Sequence, residues 1–304
     1  MKVDVSVVIP IFGDFDLGRL SVVIDSVKAQ EGIRAEIVVS EQAFESRLDV
    51  LKSKTRITHV LVSPEIKNGK PAYNAGKARN VGMRVTCADY VYFNDADIVF
   101  HQKDFLSSLW GEIKEGEILI RPAMRRMLVD EVADFLKLRA DRGWEYAASK
   151  IRLNLEYLAT LADNHEPLQT VIFNDRIFTS TAFVLKKYEA DLSLRGNENL
   201  IWQRIVHCGA IFGKKADIES VGGYSCDYPV CVYEDSDLQW KLGEKFKVRQ
   251  LGENRLYEVI HLDHAMPYRS KEHEVANKVI FERRKKAGVK KAIGRDQISF
   301  LQKY

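Results

Sequence analysis

An α/β fold with a mostly parallel sheet flanked by helices follows from three features of this 304-residue sequence. Strand-like and helix-like segments alternate through the first hundred residues, the pattern of a sheet covered by crossover helices. The first of these strands is apolar at nearly every position, as a strand buried on both faces must be. An acidic turn closes the fourth strand, and open α/β sheets bind ligands outside the carboxyl ends of their strands.

Taken in order, residues 5–12 (VSVVIPIF) form the buried first strand, and Gly13-Asp14 its terminating turn. Over 17–30, Leu17, Leu20, Val23, Ile24 and Val27 recur at helical spacing. Strands follow at 35–39 and 58–62, a helix spans 72–85, and a fourth strand at 89–93 runs into Asn94-Asp95-Ala96-Asp97. A short helix is expected over 104–114 and a strand over 116–121. From 126 to 163 apolar residues from Met127 to Leu158 fit one long amphipathic helical stretch, which Gly143 divides. Strand character returns at 171–173 and 182–185, a last α/β portion covers 204–262, and a charged helical tail ends the chain. The expected organisation is an α/β half over 1–122, a helical insertion over 123–203, a second α/β portion over 204–265 and a basic tail over 266–304.

Hydrophobic residues make up 46% of the chain and charged residues 29%, which is the balance of a globular protein with a core and excludes a disordered one. A formal net charge of +3 is too small to imply a nucleic-acid partner. The excess gathers late, in Arg283-Arg284-Lys285-Lys286 and Lys290-Lys291. That patch suits either a solvated helix end or peripheral contact with an anionic membrane. Four cysteines without a CxxC pair, and no secretory or membrane-spanning apolar run, lead to the expectation of a cytoplasmic protein with free thiols.

Three clusters carry chemistry. Asp95 and Asp97 sit one residue apart in a turn, and carboxylate oxygens suit Mg²⁺ or Mn²⁺ held together with substrate phosphates. By itself an acidic turn is common. The second cluster joins Gly222-Gly223-Tyr224 to Glu234-Asp235-Ser236-Asp237 at the start of a helix. One acid there caps the helix dipole, and another is available as a general base. The third is His261-Leu262-Asp263-His264, where one imidazole suits a metal site begun by Asp97.

These stretches, in this order with residues 5–12 and Asn74-Ala75-Gly76-Lys77-Ala78-Arg79-Asn80-Val81-Gly82, resemble the family 2 glycosyltransferases of GT-A fold. The resemblance covers residues 4–122 and 204–265. It implies a nucleotide-sugar donor, a Mn²⁺ or Mg²⁺ ion, inversion at the anomeric carbon, and a saccharide or lipid-linked acceptor. Asp97 is then the metal ligand, Asp95 contacts the ribose or the metal shell, and His264 or His261 completes the site. Asp235 is the expected base, with Glu234 beside it. Pro10, Phe12, Arg79 and Asn80 fall on the donor side. Where the family carries an Asp-Asp pair after the second strand, this chain has Ser40-Glu41-Gln42, so Glu41 is the candidate for base contact and UDP the expected nucleotide.

The 123–203 insertion departs from many relatives. Core packing, an acceptor lid and a homo-oligomer interface are its candidate uses, and Trp144, Tyr146 and Trp202 its candidate sugar-stacking residues. A sugar nucleotidyltransferase would need a Gly-rich basic loop after the first strand, whereas residues 11–15 read IFGDF. A non-catalytic nucleotide-sugar or glycan-binding module is the alternative from another class.

Overall fold

A computed structural model describes residues 2–12, 17–48, 57–67, 70–127, 129–158, 168–173, 176–180, 206–229, 232–252, 257–264 and 270–302. The chain opens with β1 (Val5–Phe12), α1 (Leu17–Lys28), β2 (Ala35–Gln42) and β3 (Thr58–Val62). A two-stranded hairpin, β4 (Glu65–Lys67) and β5 (Lys70–Ala72), leads to α2 (Ala75–Arg84), β6 (Tyr90–Phe93) and β7 (Ile98–Phe100). Next come α3 (Phe105–Glu112), β8 (Glu117–Ile120), β9 (Ala123–Met127), α4 (Val129–Arg142) and α5 (Trp144–Ser149). Three strands follow, β10 (Ile151–Leu158), β11 (Leu168–Phe173) and β12 (Arg176–Ser180). The last portion holds β13 (Ile211–Lys214), α6 (Lys215–Ser220), α7 (Glu234–Lys245), β14 (Lys247–Gln250), β15 (Glu258–Leu262), α8 (Lys271–Ala287) and α9 (Val289–Gln302).

The central sheet has the order β14-β8-β13-β6-β1-β2-β3. Its neighbours run parallel except β13, which is antiparallel to both β6 and β8. Period-two alternation explains why β1 sits in the middle. Val5, Val7, Ile9 and Ile11 belong to one buried cluster with Leu20, Val23, Ile24 and Val27 of α1, while Val8 belongs to a second with Met83 of α2. Each such side chain contributes about 1.5–3 kcal/mol when fully buried. Strand order reverses beside β1, with β2 and β3 to one side and β6 to the other. The crevice outside the carboxyl ends of β1 and β6 is therefore the place for a ligand.

A second sheet has the order β7-β15-β9, and its Val99, Phe100, Val259 and Ile260 share the buried core with β1. β15 runs antiparallel to β7 and parallel to β9, with His261 in register with Ile98. That register decides the site, because it sets His261 beside the residue before β7.

The expected long helical stretch is corrected in its second half. Helix runs to Ser149, broken at Gly143 with φ of 85°, but Ile151–Leu158 is a strand in the three-stranded antiparallel sheet β10-β11-β12. Ile151, Leu155 and Leu158 fit a helical face, yet Ile151, Leu153, Leu155 and Tyr157 also alternate strictly with polar residues. Pairing with β11 favours the second period. The Gly13-Asp14 turn, the strand expected at 182–185 and Trp202 lie outside the described residues.

The basic tail forms two helices, and one of its basic residues, Arg284, is buried. Its guanidinium binds Asp237 of α7 at 2.6 Å and Asp296 of α9 at 2.5 Å. Among the described residues no helix is long and apolar enough to cross a membrane.

Candidate active site

The turn after β6 splits its two aspartates. Asn94 holds it, with its backbone N–H on Val8 O at 3.0 Å and its side-chain amide donating to Ile98 O at 2.9 Å. Asp97 turns toward β15. Its Oδ2 lies 2.7 Å from His264 Nε2 and 3.3 Å from His261 Nε2. One ligand atom from each of the three residues lies within 4.8 Å of the others. Leu262, the last residue of β15, donates its N–H to Asp97 O at 2.7 Å, and His264 follows two residues on. The two rings stack with centroids 5.7 Å apart. Burial opposes ionisation of Asp97, but the imidazoles outweigh it and hold the carboxyl well below its usual range. Asp97 Oδ1 is buried without a hydrogen-bond partner, an oxygen left for something the protein itself does not supply. The two-imidazole, one-carboxylate donor set fits a divalent cation.

Asp95, expected at the ribose or the metal shell, turns to other partners and is not one of the three clustered ligands. Its Oδ1 accepts from Arg79 Nη2 at 2.7 Å, and its Oδ2 lies 2.9 Å from His207 Nε2. Burial opposes the charge, but Arg79 and His207 prevail and lower its pKa to about 2. Sequence reasoning missed His207. A lone histidine before β13 has no spacing to mark it, and the sole local hint was the neighbouring Gly209. A Cβ on Gly209 would stand 2.9 Å from Asp95 Oδ2 and 3.1 Å from Arg79 Nη2, so it would press on both side chains.

Arg79 joins the two acidic clusters. Its side chain is 4% exposed, and Nη1 lies 3.2 Å from Glu234 Oε1 and 3.4 Å from Asp235 Oδ1. The guanidinium also sits 5.1 Å from the ring centroid of Tyr224. Three sequence motifs thus meet at one side chain, from α2, the β6 turn and α7.

Local structure explains the meeting. Asn74 caps α2 by accepting from Lys77 N at 2.8 Å. One turn on, Asn80 clasps the Gly-Gly-Tyr segment: its Oδ1 accepts from Tyr224 N at 2.8 Å and its Nδ2 donates to Tyr224 O at 2.9 Å. Gly223 (φ of 60°) permits this contact, because a Cβ there would lie 2.5 Å from Asn80 Oδ1. Asn80, expected on the donor side, is buried with both of its polar groups engaged.

Glu234 and Asp235 open α7 after two residues of positive φ, Val232 (99°) and Tyr233 (75°). Such conformations cost roughly 1–3 kcal/mol each for residues with a Cβ and cluster at functional sites. Burial and the Asp235 charge push Glu234 up to about 8, so it holds a proton at neutral pH. Burial also raises Asp235, against the pull of Arg79. The two differ in access, with side chains 3% and 17% exposed. Asp237, the third acid of the cluster, is buried against Tyr228 and Arg284 and belongs to the fold.

Of the remaining expected site residues, Pro10 is buried in β1 opposite Ser40. Phe12, at the strand end, stacks on Tyr73 at 5.1 Å. Glu41 is buried, accepting from Arg47 N at 2.8 Å and lying 2.9 Å from His59 Nε2, so its carboxylate is engaged within the protein.

No described protein family and no curated protein matches the sequence. Among solved structures the chain is similar to the crystal structure of S. aureus TarS, with 13% identity and a TM-score of 0.50 over 92% of this chain and 39% of that one. A TarS fragment in complex with UDP-GlcNAc gives 13% identity and 0.48, covering 91% of this chain and 65% of that one. The catalytic domain of Drosophila β1,4-galactosyltransferase 7, in complex with xylobiose, gives 11% and 0.43, covering 91% and 79%. This chain therefore spans well under half of the TarS chain. The TarS likeness establishes the fold, a mixed α/β domain on a mostly parallel sheet flanked by helices.

Proposed function

We propose that this protein is a metal-dependent, inverting glycosyltransferase that moves a sugar from a UDP-sugar to a hydroxyl of a saccharide or lipid-linked acceptor. The observation that carries the reading is the convergence of two sites at one sheet end: the Asp97–His261–His264 triad and the Arg79-bound carboxylates Asp95, Glu234 and Asp235. UDP is expected from the sequence resemblance.

Asp97, His261 and His264 would hold the cation, and two imidazole nitrogens favour Mn²⁺ over the oxygen-seeking Mg²⁺. When bound, the ion neutralises charge growing on the leaving diphosphate. The chain's own residues do the rest. Asp235, partly exposed and raised by burial, accepts the proton of the acceptor hydroxyl. The acceptor oxygen bonds to the anomeric carbon from the face opposite the diphosphate. The bond from that carbon to the diphosphate oxygen breaks with its electron pair leaving on the diphosphate. Arg79, 3.4 Å from Asp235 Oδ1, lends positive charge that opposes the upward pull of burial on this carboxyl. Glu234, protonated at neutral pH, limits the negative charge crowded around Asp235.

Incubating the chain with a panel of UDP-sugars and Mn²⁺ should release UDP by slow donor hydrolysis, and faster with acceptor. Asp235→Asn should abolish transfer to acceptor while leaving UDP affinity within about twofold, as loss of a base rather than of a binding contact requires. Unchanged turnover in Asp235→Asn would remove the base assignment, and absence of UDP release from every donor would remove the function.

A further inference from the structure

The first of the two C-terminal helices makes three contacts with the segment that presents Glu234 and Asp235. Asn277 Nδ2 donates to Val232 O at 3.0 Å, the Phe281 ring lies 5.6 Å from the Tyr233 ring, and Arg284 Nε binds Asp237 Oδ2 at 2.6 Å. These residues are four and three apart, so they share one face of α8. Their targets are the two positive-φ residues and the first turn of α7, in register with one another. Asn277 is fully buried. Phe281 also meets Trp240 edge-on at 6.2 Å, on the next turn of α7.

We infer that α8 is a strap that holds the Val232–Tyr233 turn in its strained form, and that Asn277 and Phe281 are positioning residues for Asp235. This rests on the proposed role of Asp235 as base. A valine at φ of 99° and a tyrosine at 75° would relax toward negative φ if nothing held them. Relaxation of either rotates the start of α7 and carries Asp235 away from Arg79. Asn277 fixes the carbonyl of the first strained residue and Phe281 the ring of the second, while Arg284 anchors the helix behind them. The tail thereby acts on the site without touching substrate.

The test compares Asn277→Ala, Phe281→Ala and Phe281→Leu with the wild type by amide hydrogen exchange, UDP binding and UDP-sugar turnover with Mn²⁺. Asn277→Ala and Phe281→Ala should speed exchange in a peptide covering 232–238 by at least about tenfold. Peptides covering β1 and β6 should not change. In the same variants kcat should fall at least about tenfold with KM for the donor and UDP affinity unchanged, and Phe281→Leu should recover part of it. Unchanged exchange at 232–238, or a loss appearing in donor KM instead of kcat, overturns the strap. If the wild type releases no UDP from any donor, the proposed function fails, and the exchange result alone decides whether α8 holds the turn.

Discussion

Replacing Arg79 with methionine removes the guanidinium shared by Asp95, Glu234 and Asp235, which lie 2.7, 3.2 and 3.4 Å away. Methionine fills much of the same volume, so the change is chiefly electrostatic. At about 3 Å and an effective dielectric near 20, one such pair is worth about 5 kcal/mol before desolvation and repulsion among the acids are counted. Glu234 is protonated at pH 7, so the carboxylates left uncompensated are Asp95 and Asp235. Removing one partner of a buried ion pair typically costs about 3–5 kcal/mol, and the site fits that class because the Arg79 side chain is 4% exposed. At about 2–4 °C for each kcal/mol, the melting temperature should fall by roughly 6–20 °C. Differential scanning calorimetry at pH 7 without added metal measures this. Arg79→Met combined with Asp95→Asn should regain part of the loss, because one stranded charge is gone. As a control, Arg34→Met breaks a pair with Asp4 whose arginine is 52% exposed, and should leave the melting temperature nearly unchanged. A fall below about 2 °C in Arg79→Met, or no recovery in the double variant, would refute the view that one buried cation holds the acidic clusters together.

Alanine at Asp97 or His264 should weaken Mn²⁺ binding by more than about 100-fold in titration calorimetry, beyond the cost of losing an outer partner, whereas Asp95→Asn should weaken it far less. Glu234 has a folded pKa of about 8 against an ordinary 4.5, so its contribution to stability is fully present below about pH 4.5 and lost as pH rises through about 8. Thermal unfolding across that window should show the wild type losing stability relative to Glu234→Gln, and parallel curves would refute the raised pKa. Gly223→Ala forces a Cβ to 2.5 Å from Asn80 Oδ1 at φ of 60° and should destabilise by ~2 kcal/mol or more, read by urea denaturation.

Much of the fold was legible because periodicity is a local property. The apolar run at 5–12 requires a strand buried on both faces, and the helical spacing over 17–30 requires a helix that covers it. Residues 151–158 failed the same reading because their apolar positions satisfy both periods, and only pairing with β11 selects one. The burial of Arg284 was not legible for a related reason. Charge alone makes Arg284 a surface residue, and its burial depends on Asp237 and Asp296 arriving from two other helices.

The sequence by itself determined that an acidic turn follows a buried strand, that glycines precede an acid-rich helix start, and that two histidines close the last strand. These are facts about neighbours in the chain. Tertiary structure alone decided the partners. The antiparallel register of β15 on β7 brings His261 and His264 to Asp97. The clasp of Asn80 on Tyr224 brings α2 to the Gly-Gly turn, so that Arg79 reaches Asp95 on one side and Asp235 on the other. His207, invisible beforehand, completes that side. Which carboxylate sits by two imidazoles and which by a guanidinium is a matter of long-range geometry, and Asp95 and Asp97, with one residue between them, have different surroundings because of it.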